Sequence, residues 1–252
     1  MYDGNLVFMS WNVRGLNCPA KRTVVSDVVS SHRVAVLCLH ETKIDSWTTA
    51  VACEIGGSRL QGCVVLPTIG TRGGAAIFWD KDVVDVVSHY LGGFSIMAKV
   101  RELSSGQHFC MTTVYGPTDN AQKENFLAEI AVSAPPSGEP WMINGDFNMI
   151  YQARDKSNPN INMRMMGKFR RAIDQAILKE IKCKNRRFTW SNERENPTLC
   201  SIDKVFCNAG WEDLHPDHLL FAASTSFSDH CPLVLAAVDT PARKARFRFE
   251  NF

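Results

Sequence analysis

No run of apolar residues in this 252-residue chain is long enough to span a membrane. Its start, "MYDGNLVFMSWNVRG", lacks the basic residues and apolar core of a secretory signal. A nuclear or cytoplasmic protein, not a secreted one, is the expectation. The nine cysteines include no C-x-x-C pair, so neither a zinc site nor a disulfide framework is indicated. Most are expected to be small apolar residues buried in a reducing compartment. There is no G-x-x-x-x-G-K-[ST] phosphate loop, no serine in a nucleophile elbow, no internal repeat and no low-complexity tract. The net charge is only +2, too small for a general polyanion binder. Positive charge is nevertheless grouped locally, in "MRMMGKFRR" (163–171), "KCKNRR" (182–187) and "RKARFR" (243–248). Such groups can guide a phosphate backbone, and they are equally common on solvated surfaces.

Apolar and β-branched residues predict strands at 5–12, 34–39, 73–79, 83–88, 95–103, 107–115, 141–147, 201–207 and 231–238. Many of these are apolar throughout, which predicts sheets covered on both faces. Helical patterns fall between them at 20–31, at 120–132 with Asp119 as N-cap, and at 163–180. In the last of these, Met166, Phe169, Ile173 and Ile177 lie at helical spacing and read as core contacts. No loop is long enough to be an interdomain linker. The simplest organisation is one α/β domain over residues 1–240, followed by a basic tail or linker stub at 241–252.

Polar residues collect where the apolar runs end. Asn12 closes "MSWN", Glu41 follows His40 in "LCLHETK", and Tyr115 precedes a Gly-Pro turn. "WMINGDFNMI" ends its run with Asp146 and Asn148, which strand alternation would point to one face. Asp203 lies in the apolar run "SIDKVF", and Ser228, Asp229 and His230 directly precede the last strand. A carboxylate at a buried strand position needs a partner, and His230 is the obvious one for Asp203. Carboxylates with amides and one histidine, without thiolates, suit a hard divalent cation such as Mg²⁺. The set as a whole points to metal-assisted hydrolysis of a phosphate ester.

In order, "SWNVRGLN", "LHETK", "VYGP", "GDFN", "SIDKVF" and "SDHCPL" resemble the motifs of the endonuclease/exonuclease/phosphatase superfamily. Within it the chain is most similar to the apurinic-type endonuclease domain of plant LINE-type (non-LTR) retrotransposon polyproteins, through "PWMINGDFN", "RRFTWSNER", "VFCNAGWEDL" and "RFRFENF". The resemblance implies a DNase I-like four-layer α/β sandwich, two packed mixed β-sheets flanked by helices. It also implies Mg²⁺-dependent nicking of duplex DNA, with Mn²⁺ as a substitute, leaving a 3′-hydroxyl and a 5′-phosphate. In such polyproteins the hydroxyl primes a reverse transcriptase fused at the C-terminus. By the same resemblance Glu41 is the principal metal ligand, with Asn12 beside it and Asp229 on the metal side. Asp146 activates the water and Asn148 orients it; Tyr115 and His230 contact the scissile phosphate, and Asp203 holds His230. Thr189 and Ser228 are secondary phosphate or network contacts. His40 stands where glutamine is usual, and Ser201 where a basic residue often is. The alternatives are an abasic-site repair endonuclease, a small-molecule phosphatase, and a catalytically inactive binding module. Monomer is the expected state.

Overall fold

The computed structural model describes residues 6–68, 73–136, 138–225 and 227–237; the tail expected at 241–252 lies outside them. The elements run β1 (Phe8–Asn12), α1 (Pro19–Ser31), β2 (Val36–His40), α2 (Thr49–Gly56), β3 (Gly62–Leu66), β4 (Ala75–Trp79), β5 (Val84–Leu91), β6 (Ser95–Glu102) and β7 (His108–Tyr115). There follow α3 (Lys123–Val132), β8 (Trp141–Asp146), a short 3-10 turn at Ala153–Asp155, α4 (Met163–Gln175), β9 (Lys179–Glu180), β10 (Trp190–Ser191), β11 (Leu199–Cys200), β12 (Asp203–Cys207), α5 (Ala209–Leu214), β13 (His218–Ala222) and β14 (Leu233–Ala237).

Two six-stranded mixed sheets form, in the orders β13-β14-β1-β2-β4-β3 and β5-β6-β7-β8-β12-β9, with β10-β11 as a separate hairpin. In each sheet one central pair is parallel, β1 with β2 and β7 with β8. Alternation along a strand explains the layering. From β1, Phe8 enters the core between the sheets, while Met9 and Trp11 face Val25 and Val29 of α1 and Ile55 of α2. From β8, Met142 enters the same inter-sheet core, while Trp141 and Ile143 face Phe126 of α3 and Phe169 of α4. Helices, sheet, sheet and helices therefore make four layers, and the both-sides-apolar strands are the ones covered on both faces.

Several details depart from the sequence expectations. Asp119 does not cap α3: its Oδ1 accepts from Ala121 N at 3.0 Å in a local turn, and the helix begins at Lys123. Helix α4 stops at Gln175, and Ile177 is not a core contact. It takes a left-handed φ of 54° and is 81% exposed, while the next residue, Leu178, folds back so that its N–H bonds Ile173 O and its side chain fills the core. Of the nine cysteines, all free, only four are buried, three are half-buried, and Cys18 and Cys53 are exposed. Among the described residues no helix is long and apolar enough to cross a membrane.

Candidate active site

The parallel pairs end together, and this builds the site. Asn12 pairs with His40 across β1 and β2, and Tyr115 pairs with Asp146 across β7 and β8. Asp203, the first residue of β12, pairs with Asp146 from the other side. The chain then turns with Arg14, Gly15, Glu41 and Lys43 all at positive φ, which lifts Glu41 out of the strand line. Gly73 lets that happen, since a Cβ there would lie 2.8 Å from Glu41 Cγ.

Asp146 is at the centre and 1% exposed. Its Oδ2 accepts from Asn12 Nδ2 at 2.8 Å and Asn148 Nδ2 at 3.2 Å, and its Oδ1 accepts from the Asn148 backbone N–H at 2.8 Å. The placement of Asn148 differs from the expected strand alternation. Strand β8 ends at Asp146, and Asn148 stands beyond it at φ 48°, a conformation asparagine tolerates. Its amide is tied to Gly116 O at 2.8 Å. Gly145, at φ 142°, is required by packing, because a Cβ would lie 2.0 Å from Val114 O on the paired strand.

Asp203 and His230 meet as expected: Nδ1 lies 2.9 Å from Oδ2 and 3.1 Å from Oδ1. His230 Nε2 is left facing Asp146 Oδ2 at 4.0 Å and Asp229 Oδ1 at 3.9 Å. Thr189 is fully engaged in this network. Its Oγ1 donates to Asp203 Oδ2 at 2.6 Å and accepts from the N–H groups of Ile202 and Asp203. Ser228 likewise ties loops together, donating to Asn12 O and accepting from His230 N–H.

Burial disfavours the His230 imidazolium, but Asp203, Asp146 and Asp229 outweigh it and raise the pKa to about 9. Burial, and next the charge of Asp203, push Asp146 above the usual carboxylate range. Burial works against the Glu41 carboxylate too, yet Lys43, Asn12 and the Tyr115 hydroxyl hold its pKa below normal. Tyr115 is pushed upward by burial and by Glu41 and Asp146, so it stays a donor. His40, fully buried, is lowered to about 4 by burial and is neutral; its Nε2 bonds Thr113 Oγ1 in the opposite sheet at 2.7 Å.

The donor set fits a hard divalent cation. Asp146, Asp203 and His230 offer ligand atoms within 4.8 Å of one another. Both Asp203 oxygens are already satisfied by His230 and Thr189, which favours the Glu41 side. There the Lys43 ammonium stands 2.6 Å from Glu41 Oε1, a cation already drawn to that carboxylate. Asp229 Oδ1 is buried without a hydrogen-bond partner.

Two residues of the site escaped the sequence reading. Arg14 Nη1 and Trp190 Nε1 both bond Asp229 Oδ2 at 2.9 Å and fix its rotamer. Both lie inside the quoted motifs "SWNVRGLN" and "RRFTWSNER", but their partner is distant in sequence. Ser201 does not supply the missing positive charge. Its neighbour Lys204 is buried against Asp155 (3.0 Å), Glu180 (2.7 Å) and the Ser201 hydroxyl. Arg14, Glu41, Asp146, Asn148, Asp229 and His230 all face one open cavity of about 500 Å³.

Solved structures with this fold include the AP endonuclease LMAP from Leishmania major, at 15% identity and TM-score 0.72, over 92% of this chain and 87% of that one. The endonuclease domain of TRAS1, a telomere-specific non-LTR retrotransposon, is 14% identical with TM-score 0.66, over 92% and 98%. The mannosyl-6-phosphatase Bt3783 of Bacteroides thetaiotaomicron is 14% identical with TM-score 0.59, over 91% and 98%. No curated protein matches the chain significantly in sequence. The model of the Endonuclease/Exonuclease/phosphatase family matches residues 9–230, from the first strand to the histidine at the site, and the chain belongs to that family.

Proposed function

We propose that the protein is a Mg²⁺-dependent endonuclease, with Mn²⁺ as a substitute, that hydrolyses DNA phosphodiester bonds to leave 3′-hydroxyl and 5′-phosphate ends. It is of the type that nicks target DNA to prime LINE reverse transcription. The observation that carries this reading is Asp146, a buried carboxylate held by two amides at the floor of an open cavity, with the His230 Nε2 4.0 Å away.

Asp146 is placed to take a proton from a water that attacks phosphorus. Asn148 and Asn12 fix the carboxylate so that the water is held on one side of the phosphate. A P–O bond forms from the water, the bond to the 3′-oxygen breaks, and the departing 3′-oxygen takes a proton from solvent to become the hydroxyl. The His230 imidazolium would donate from Nε2 to the phosphate oxygens, where charge builds, and the Tyr115 hydroxyl, which bonds the Glu41 carboxylate, would join it there. A divalent cation held by Glu41, with Asn12 and Asp229 beside it, would balance charge on the phosphate and the leaving oxygen. The reading brings with it a nuclear site of action, monomeric action on duplex DNA, and a reverse transcriptase domain as natural fusion partner.

Purified protein with Mg²⁺ should convert supercoiled plasmid to the nicked form, while EDTA or Asp146→Ala abolishes conversion. Equal nicking by wild type and Asp146→Ala would refute the site. A strong preference for an abasic-site duplex over intact plasmid would replace the retrotransposon-type reading with a repair-type one.

A further inference from the structure

The basic run "KCKNRR" is not part of the chemistry above, yet the fold carries it to the edge of the site. After β9 pairs with β12 at the edge of one sheet, the chain crosses to the edge of the other. Cys183 bridges to Leu220 of β13, and Lys184 N–H bonds Leu220 O at 2.9 Å. Asn185 then takes both hydrogen bonds of Ala222: its Nδ2 donates to Ala222 O at 2.9 Å and its Oδ1 accepts from Ala222 N–H at 2.8 Å. The segment is thus a strap across one side of the sandwich, pinned at three successive residues. Ile181 and Cys183 pack against the core between the sheets. Lys182, Lys184 and Arg186 are exposed, and among the described residues their side chains have no ion pair or hydrogen bond.

At its upper end the strap borders a second cavity of about 280 Å³, lined by Arg186, Arg187, Thr225 and Ser228. Trp190, Asp229 and His230 line both this cavity and the larger one. Arg187 is held in place, with Nε and Nη2 both donating to Arg154 O and its guanidinium 4.8 Å from the Phe188 ring. A cationic track on a fixed backbone therefore runs up the side of the molecule and ends beside Trp190, Asp229 and His230, the residues shared by the two cavities. Glu193 is the acidic residue lining the second cavity apart from Asp229.

We propose that this strap is a phosphate-binding track that holds the DNA backbone flanking the scissile bond, with Arg186 at the second cavity and Lys184 and Lys182 below it. The proposal rests on the nuclease reading and adds where the substrate lies. Unpaired cations on a rigid segment are suited to this, because each phosphate they neutralise releases counterions and no existing ion pair has to be broken.

The test is equilibrium binding of a duplex of about 20 base pairs as a function of salt, by fluorescence anisotropy. Asp146→Asn protein is the parent, so that binding is read without cleavage. Adding Lys182→Ala, Lys184→Ala and Arg186→Ala should make the slope of log affinity against log salt shallower by about 0.9 for each phosphate no longer neutralised. Lys81→Ala, exposed beyond the far end of β4, should leave the slope unchanged. The charge-conserving set Lys182→Arg, Lys184→Arg and Arg186→Lys should keep the parental slope. An unchanged slope in the alanine set, or an equal flattening in the charge-conserving set, overturns the track. Salt-dependent binding that needs the strap, together with wild-type protein that never nicks, would instead overturn the nuclease reading and leave the track standing.

Discussion

Asp203 grips His230 with both carboxylate oxygens, at 2.9 and 3.1 Å from Nδ1, and Thr189 grips Asp203 in turn at 2.6 Å. The imidazole is therefore fixed with Nε2 toward the cavity, and its proton-bearing form is the favoured one. Asn in place of Asp203 keeps the volume but removes the charge that outweighs burial. Asp203→Asn should lower the single-turnover nicking rate by about a hundred- to ten-thousand-fold, with unfolding by urea showing a retained cooperative transition.

The same electrostatics set the pH dependence. In the proposed reaction Asp146 has to be ionised to accept a proton, and its pKa is raised by burial and Asp203; activity should therefore rise with pH through a limb above the ordinary carboxylate range. The same proposal has His230 act as a cation, and its pKa is raised to about 9, so activity should fall as pH rises through that value. Asp229→Asn removes one of the charges that raise His230 and should shift the alkaline limb downward. The profile of kcat/KM against pH for the two proteins reads this directly.

Gly145 carries a packing constraint in the segment that ends in Asp146. At φ 142° and with Val114 O 2.0 Å from a notional Cβ, Gly145→Ala forces β7 and β8 apart. The expected loss is at least about 2 kcal/mol. Gly138, at φ 90° with nothing within 4 Å of its notional Cβ, should lose only about 1 kcal/mol as alanine. Urea midpoints of the two variants measure the contrast.

At the opposite end of the sandwich, His215 and His218 stack with ring centroids 4.4 Å apart and planes 2° from parallel. Burial lowers both pKa values, that of His218 to about 3, with His215 adding to it. Both are neutral in the folded protein and titrate near 6.5 when unfolded. Their contribution is intact above pH 6.5 and is lost as pH falls from there toward 3, because the unfolded chain gains protons first. His218→Phe keeps a ring in the stack and should flatten the decline in urea midpoint between pH 7 and pH 5, a difference on the order of 1 kcal/mol.

The strands that the sequence revealed are the ones whose faces are both buried, such as β1, β2 and β8, because continuous apolar runs have few other uses. Strand β3 and helix α2 were missed, as were the five-residue edge strand β13 and the six-residue helix α5. The first is a half-buried edge reading "GCVVL", and the second is one short apolar stretch started by the Thr48 cap. The two-residue strands β9, β10 and β11 carry no periodicity to detect. At the site, the strand-end acids and amides were legible because polar residues interrupt apolar runs there. Arg14 and Trp190 were not, since each is explained only by Asp229, 215 and 39 residues away. The Asn148 conformation was equally hidden, because a left-handed turn two residues past a strand imitates strand alternation.

Asn12 and Asp146 belong to different sheets, and the 2.8 Å bond between them crosses the core interface. His40 and Thr113 make a second such crossing at 2.7 Å. The working distances are thus a measure of how the two sheets sit on each other. Any slip between them, from a cavity at Met142 or Leu235 deep in the shared core, separates donor from acceptor while every strand remains paired. Catalysis should then fail before secondary structure does, making the enzyme a sensor of its own interior alignment.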